Sequence, residues 1–329
     1  MTIILGLETS CDETAAAVVK DGRIVLASEL NSQTGIHQKF GGVVPEVAAR
    51  YHLESVNEII DLALSKSGVA PEDLDAVACT QGPGLIGTLL VGLSAAKAIS
   101  WVFQKPLLAV DHLYAHICAN YIDTDLAPPF ICLLVSGGHT QIIHVKTHKD
   151  WEILGQTLDD AAGEAYDKVA RLLGLGYPGG PMVDKMAQDG DPKAFKFPEG
   201  SVKGYDFSFS GLKTSVLRTV EKLPQPLPVT DLAASFQDAV NRVLFRKTVE
   251  AARELNVNKI VLAGGVAANK DLRRRFTELN DGNEISVFVP AMKYCTDNAA
   301  MVASCAYFAG VETGLDCMAY SRQGSGVHQ

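Results

Sequence analysis

His112 and His116 lie four positions apart in the stretch DHLYAH. On a helix that spacing stacks two imidazoles on one face. Two readings fit: half of a metal site, or two ordinary histidines on a helix. A zinc peptidase of the HExxH type needs a glutamate directly after the first histidine as its base. Here that position is Leu113. A metal site also needs a third ligand. CTDNAAM, residues 295–301, offers Asp297 at the mouth of an apolar run. Two imidazoles and one carboxylate suit iron, zinc or manganese.

Four loops of small residues could cradle phosphate: TSCDET (9–14), QGPGLIGT (81–88), SGGHT (136–140) and AGGVAAN (263–269). Glycine lets backbone N–H groups approach an anion closely, and a following helix adds a favourable dipole. One such loop is most simply a tight turn. Four in a repeated pattern point to nucleotide binding. None is a P-loop, and no GxGxxG opens a helix after the first strand, which excludes the Walker and Rossmann classes.

The stretch TLDDAAGEAYDKVARLLGL predicts a helix from Thr157 on which Asp160, Gly163, Glu164 and Asp167 share one face. Glycine in mid-helix costs about 1 kcal/mol against alanine, so Gly163 suggests close approach of a ligand, with Asp167 for ribose or substrate hydroxyls. The bland reading is equally open: acids suit a first helical turn, and Glu164–Lys168 is an i,i+4 pair. YPGGP, residues 177–181, reads as a turn with Asp184 close behind.

The elements that must position these residues show a repeat. TIILGLE, AAAVVK and RIVLASE read as three strands, with a polar loop after the first and a DG turn after the second. PFICLLV, QIIHVK and WEILGQ repeat the pattern. LDAVACT and KIVLAGG each run into a glycine-rich turn and then a helix. An internal duplication follows: an α/β protein of two related lobes with mixed sheets, helices outside, and a nucleotide cleft between the lobes. The chain of 329 residues is long enough for two domains. These are expected at 1–110 plus about 300–329, and at 111–299.

Composition narrows the class further. The seven cysteines form no CxxC pair, which argues against a disulfide framework or a zinc–thiolate site. Residues 84–100 are the most membrane-like stretch, but they carry Lys97 and many small residues, so a buried helix is expected. The N-terminus has no basic segment of a secretory signal, and a cytoplasmic protein is expected. A net charge of −9 argues against nucleic acid as a partner unless a local basic patch or a second protein supplies the contact. LRRRF at 272–276 reads as a solvated helix face. The tail SRQGSGVHQ is expected to be disordered.

GLETSCDET, FGGVVPEVAARYH, QGPGLIGTLLVG, the HxxxH pair, LLVSGGHTQ, TLDDAAGEAYDKVA, YPGGP, FSFSGLKT, SFQ, LAGGVAAN and CTDNAAM occur in this order over nearly the whole chain. In this the sequence resembles the bacterial tRNA N6-adenosine threonylcarbamoyltransferases, once labelled O-sialoglycoprotein endopeptidases. The resemblance implies duplicated RNase H-like lobes of the actin, sugar-kinase and heat-shock-ATPase superfamily. It implies transfer of a threonylcarbamoyl group from its adenylate to N6 of the adenosine 3′ of the anticodon in tRNAs reading ANN codons, with release of AMP. It implies one divalent metal, Fe(2+) before Zn(2+), on His112, His116 and Asp297. It implies adenylate contacts from Leu134, Val135, Ser136, Gly137, Gly138, Asp167, Gly180, Asp184 and Asn269. Glu13, or Asp12, in the first loop is the candidate acceptor of the amine proton. Implied partners are tRNA, a paralogous lobe-like protein and a small ATPase, with no membrane. One position departs from the family: where many members carry a third histidine just before the pair, this chain has Asp111. The rival readings are a phosphotransferase of the same superfamily, a non-catalytic nucleotide-binding scaffold, and the old peptidase label, which lacks both the HExxH glutamate and a GxSxG motif.

Overall fold

A computed structural model describes residues 1–200, 202–282 and 284–322 of the chain. Residues 323–329 of the tail expected to be disordered lie outside them. The chain divides into two units, residues 1–126 with 290–329, and residues 127–289.

Unit 1 begins with β1 (Ile3–Glu8), β2 (Glu13–Lys20) and β3 (Ile24–Ser32), which pair antiparallel in sequence. The DG turn puts Asp21 and Gly22 at positive φ (50° and 67°), as a tight hairpin requires. After α1 (Thr34–His37), helix α2 (Pro45–Ser67) starts on a proline, whose lost N–H would be unpaired there anyway. It ends at Gly68 in the left-handed conformation. Then follow β4 (Ala76–Gly82), α3 (Ile86–Phe103), β5 (Leu107–Asp111) and α4 (His112–Cys118). β1 runs parallel to β4, and β4 to β5. β1 is therefore flanked on both sides, which is why IILGLE is a nearly unbroken buried run.

Unit 2 repeats this plan. β6 (Phe130–Val135), β7 (Thr140–Thr147) and β8 (Asp150–Gln156) pair antiparallel. Helices α5 (Ala162–Leu172), α6 (Gly179–Ala187), α7 (Ser210–Val220) and α8 (Val229–Glu254) intervene. β9 (Lys259–Ala263) then runs parallel to β6, and, after α9 (Lys270–Thr277), β10 (Ser286–Phe288) runs parallel to β9. The chain returns to unit 1 with α10 (Ala299–Ala309) and β11 (Val311–Thr313), which pairs with β5. The sheet orders are β11-β5-β4-β1-β2-β3 and β10-β9-β6-β7-β8. Leaving out β11, the two sheets have one topology, and the duplication read from the sequence is present in the fold.

Three expectations are adjusted. Residues 111–126 and 290–299, expected in the C-terminal lobe, fall in unit 1, because α4 continues from β5 and packs against α10. The helix expected from Thr157 begins at Ala162, after a loop holding both Asp159 and Asp160. The YPGGP segment is only half a turn, since Gly179 and Gly180 already form the start of α6.

α3 is the one described helix long and apolar enough to cross a membrane. It packs against α2 and β4, with Leu89, Val91, Leu93 and Ala96 in its buried face. None of the seven cysteines forms a disulfide, and all but Cys11 are buried. The LRRRF run is a solvated face as expected: Arg274 pairs with Asp271 and Glu278, while Leu272 and Phe276 are buried.

Candidate functional site

The histidine pair is built by a helix start. Asp111 caps α4, its Oδ1 accepting the N–H groups of Leu113 and Tyr114 at 2.9 and 3.0 Å. Its Oδ2 accepts the Tyr320 hydroxyl at 2.9 Å. Asp111 thus fixes where α4 begins. His112 and His116 follow one turn apart, ring centroids 4.8 Å apart. Asp297 comes from the segment before α10, whose first turn is capped by Asn298 accepting the Met301 N–H at 3.0 Å. Asp297 Oδ1 lies 3.1 Å from His116 Nε2 and 3.6 Å from His112 Nε2. One ligand atom from each of the three residues falls within 4.8 Å of the others. Ligands about 2.0–2.2 Å from a common cation sit at about such separations. The donor set and its spacing therefore fit a divalent metal.

Glu8 stands behind the histidines, and the sequence reading missed it. It closes β1 and is fully buried. Its Oε2 lies 3.1 Å from His112 Nδ1 and accepts the Thr80 hydroxyl at 2.6 Å, while Oε1 accepts the Ser10 N–H at 2.6 Å. Ser10 Oγ is 3.2 Å from the same Nδ1. A proton on Nδ1 is held by Glu8, leaving the Nε2 lone pair for a cation, which is how carboxylates orient metal-binding imidazoles. The available signal was a carboxylate inside a buried strand, which demands a partner.

The charges agree with this geometry. Burial alone would lower the His112 pKa, but the Glu8 and Asp297 carboxylates raise it to about 9. Burial alone would raise Asp297, but the two histidines hold it down at about 2. Glu8 is likewise held below its usual range by His112 against the cost of burial. The cluster sets two carboxylates around the His112 imidazole, a place that favours positive charge, whether a proton or a metal ion.

Asp12 and Glu13 sit in the same unit, at the start of β2. Burial is the main cause that pushes the Glu13 carboxyl up to about 8, with smaller contributions from Asp12 and Asp297. Its Oε1 accepts the Ser32 hydroxyl at 2.8 Å. Its Oε2 is buried with no hydrogen-bond partner among the described residues. Asp12 is also raised by burial.

The second group of expected residues lies wholly in unit 2. Leu134 and Val135 end β6, and Ser136, Gly137 and Gly138 form the loop that follows. Ser136 turns the loop, its N–H donating to the His139 carbonyl at 2.8 Å and its Oγ accepting the His139 N–H at 3.1 Å. Thr140 Oγ1 accepts the Ala162 N–H at 2.9 Å and the Ser136 carbonyl accepts the Gly163 N–H at 3.2 Å, so the loop seats on the start of α5. A Cβ on Gly163 would meet the Ser136 carbonyl oxygen at 2.5 Å. The close approach expected at Gly163 is therefore made by this loop. Gly137 and Gly138, by contrast, face open space. Asp167 Oδ1 accepts the Gly179 N–H at 2.8 Å, next to Gly180. Asn269 caps α9 through the Leu272 N–H at 2.9 Å, and its amide donates to Asp184 Oδ1 at 3.0 Å and Gln237 Oε1 at 2.7 Å. Burial raises both Asp167 and Asp184 above the usual carboxylate range.

The glycine loops differ in kind. In QGPGLIGT a Cβ on Gly82 would strike the Tyr320 carbonyl at 2.2 Å, and one on Gly84 the Ser10 carbonyl at 2.7 Å. These glycines serve packing within unit 1, not an open anion cradle. In AGGVAAN, Gly264 has φ 86° and lies against the Val135 carbonyl, whereas Gly265 faces open space.

Comparison with known proteins gives the class. The family model for tRNA N6-adenosine threonylcarbamoyltransferase matches residues 24–304. The transferase of that name from Caldicellulosiruptor bescii is 52% identical over 310 residues, 93% of this chain and 92% of that one. The one from Cyanothece sp. is 54% identical over 324 residues, 95% and 93% of the two chains. The chain belongs to this family. It is an enzyme, a threonylcarbamoyltransferase that acts on tRNA. More distant structures share its fold alone. Full-length HypF in a phosphate- and nucleotide-bound form aligns with a TM-score of 0.64 at 14% identity, over 93% of this chain and 46% of that one. A ROK hexokinase from Thermus thermophilus aligns at 0.51 and 14%, over 94% and 98%. The transferase thus shares the fold of HypF and of this hexokinase.

Proposed function

We propose that the donor is threonylcarbamoyl-adenylate and the acceptor N6 of the adenosine 3′ of the anticodon in tRNAs reading ANN codons. The observation that carries this reading is the convergence of His112, His116 and Asp297 with Glu8 behind them. A phosphotransferase or a nucleotide-binding scaffold has no use for such a cluster. His112, His116 and Asp297 would hold one divalent metal. A two-histidine, one-carboxylate set favours Fe(2+), with Zn(2+) the alternative. When bound, the ion supplies a Lewis acid to an oxygen of the threonylcarbamoyl group.

The chain's own residues position and move protons. The loop at Gly137 and Gly138, with Gly180, takes the nucleotide. Leu134, Val135 and Ser136 shape that loop. Asp167 accepts a ribose hydroxyl, and Asp184 and Asn269 hold their network rigid beside it. N6 attacks the carbamoyl carbon, the bond from that carbon to the phosphate oxygen breaks, and AMP leaves. N6 gives its proton to Glu13, with Asp12 as the alternative. The phosphate is a good leaving group, so orientation carries most of the rate.

Two measurements follow. With purified donor and unmodified tRNA, the modified nucleoside and AMP should form one for one; product without AMP would exclude the adenylate. Glu13→Gln should lower turnover by about 10²–10³-fold with donor affinity unchanged. Because Glu13 acts as a base only when ionised, wild-type turnover at saturating metal should rise with pH, with a midpoint near 8 set by its burial, and the variant should lack that limb. Glycines test the loop. Gly163→Ala should cost about 1–3 kcal/mol of stability by pushing on Ser136. Gly137→Ala should leave stability unchanged and weaken AMP binding.

The implied protein partners, a paralogous lobe-like protein and a small ATPase, are supported by one surface. Ile86, Leu90, Trp101 and Val102 of α3 are exposed, Trp101 at 72%. Exposed aliphatic and aromatic side chains along one helix mark an interaction face. The setting is the cytoplasm, with α3 a helix of a folded unit rather than a membrane span.

A further inference from the structure

The motif FSFSGLKT, residues 207–214, takes no part in the chemistry above. Its phenylalanines anchor it: Phe207 and Phe209 are buried, ring centroids 6.1 Å apart. Asp159 accepts the Ser208 hydroxyl and the Phe209 N–H, the latter at 2.8 Å, and so fixes the start of α7. The buried Lys247 ammonium donates to the carbonyls of Val202, Gly204 and Asp206 just before it. This much anchoring calls for something to present.

What α7 presents is a groove of about 630 Å³, lined by Ser210, Thr214, Ser215, Arg218, Thr219 and Lys222. Ser210, Thr214, Ser215, Arg218 and Thr219 share one face of α7, and Lys222 lies in the turn just past its end. Arg218 and Lys222 have no ion-pair partner among the described residues, whereas Arg242, Arg246, Arg274 and Arg275 are all paired. Two acids flank the groove in sequence: Glu199, which is engaged by Arg242 and Arg246, and the exposed Glu221, which forms no ion pair with Arg218 or Lys222 among the described residues and leaves the pair of cations in excess. In a chain of net charge −9, the groove is a local site of free positive charge and hydroxyl donors. It has no aromatic lining, which a protein-docking hot spot would use. Hydroxyls with Arg and Lys are the groups that hold phosphodiester oxygens.

We infer that the α7 groove holds the phosphate backbone of the tRNA substrate. This rests on the transferase reading and adds to it a docking surface. The test is filter binding of an unmodified tRNA transcript over a range of salt, using the full chain with the proteins that copurify with it. Arg218→Ala/Lys222→Ala should weaken binding about tenfold and reduce the log–log salt slope by about 1.5, the loss of two phosphate contacts. KM for tRNA should rise while kcat at saturating tRNA stays unchanged, and Arg218→Lys/Lys222→Arg should restore binding. Unchanged affinity and slope would overturn the inference. So would loss of a copurifying protein with tRNA affinity intact, which would make the groove a protein contact. Failure of the transferase reading would show separately, as a wild-type chain that binds tRNA and forms no modified nucleoside.

Discussion

His116→Ala should purify without a stoichiometric metal ion and lose transfer by more than about 100-fold. The imidazole is 2% exposed, and its Nε2 lies 3.1 Å from Asp297 Oδ1. Its removal leaves one histidine and one carboxylate, too few ligands for a closed site. The same change empties a small buried volume, so loss of fold must be separated from loss of metal. Unit 1 has its own apolar core, of Leu5, Leu7, Val18, Val77 and their neighbours, which His116 does not join. Thermal unfolding should therefore stay cooperative, while metal content measured by mass spectrometry falls. A variant with wild-type metal content would show the histidine to be structural.

Glu8→Gln should be the second largest effect and the more informative one. Glu8 touches no expected ligand atom; it holds His112 at the opposite ring nitrogen. Removing its charge should weaken metal binding about 10–100-fold with AMP affinity intact, as such supporting carboxylates do elsewhere. The pH dependence gives the sign. A metal ion must displace the His112 proton, whose pKa is raised to about 9 by Glu8 and Asp297 against burial. Wild-type metal affinity should thus climb with pH and level off near 9. In Glu8→Gln the histidine loses part of what holds its proton, so the plateau should come at lower pH. An unmoved plateau would mean that Glu8 does not act on His112.

What the sequence made legible was local. The HxxxH pair needs only one helical turn, and the duplicated strand pattern needs only period-two burial and turn residues, so both were readable. Asp297 was readable because it precedes an apolar run that starts a helix. Glu8 was not, because its partners Thr80 and His112 are far along the chain and only the sheet brings them together. Asp159 looked like an acid in the first turn of its own helix, yet it caps α7, about fifty residues on. Gly163 looked like a ligand contact, and the surrounding fold uses it to seat a loop. The boundary between units was misplaced for a similar reason: β5 ends where α4 begins, and no break in composition marks that α4 packs back on unit 1.

The most direct measurement is of threonylcarbamoyladenosine in digested tRNA from a host depleted of this protein and re-supplied with either the wild type or His116→Ala. The expected result is that the wild type restores the nucleoside and the variant does not. Restoration by both would contradict a working metal centre at His112, His116 and Asp297.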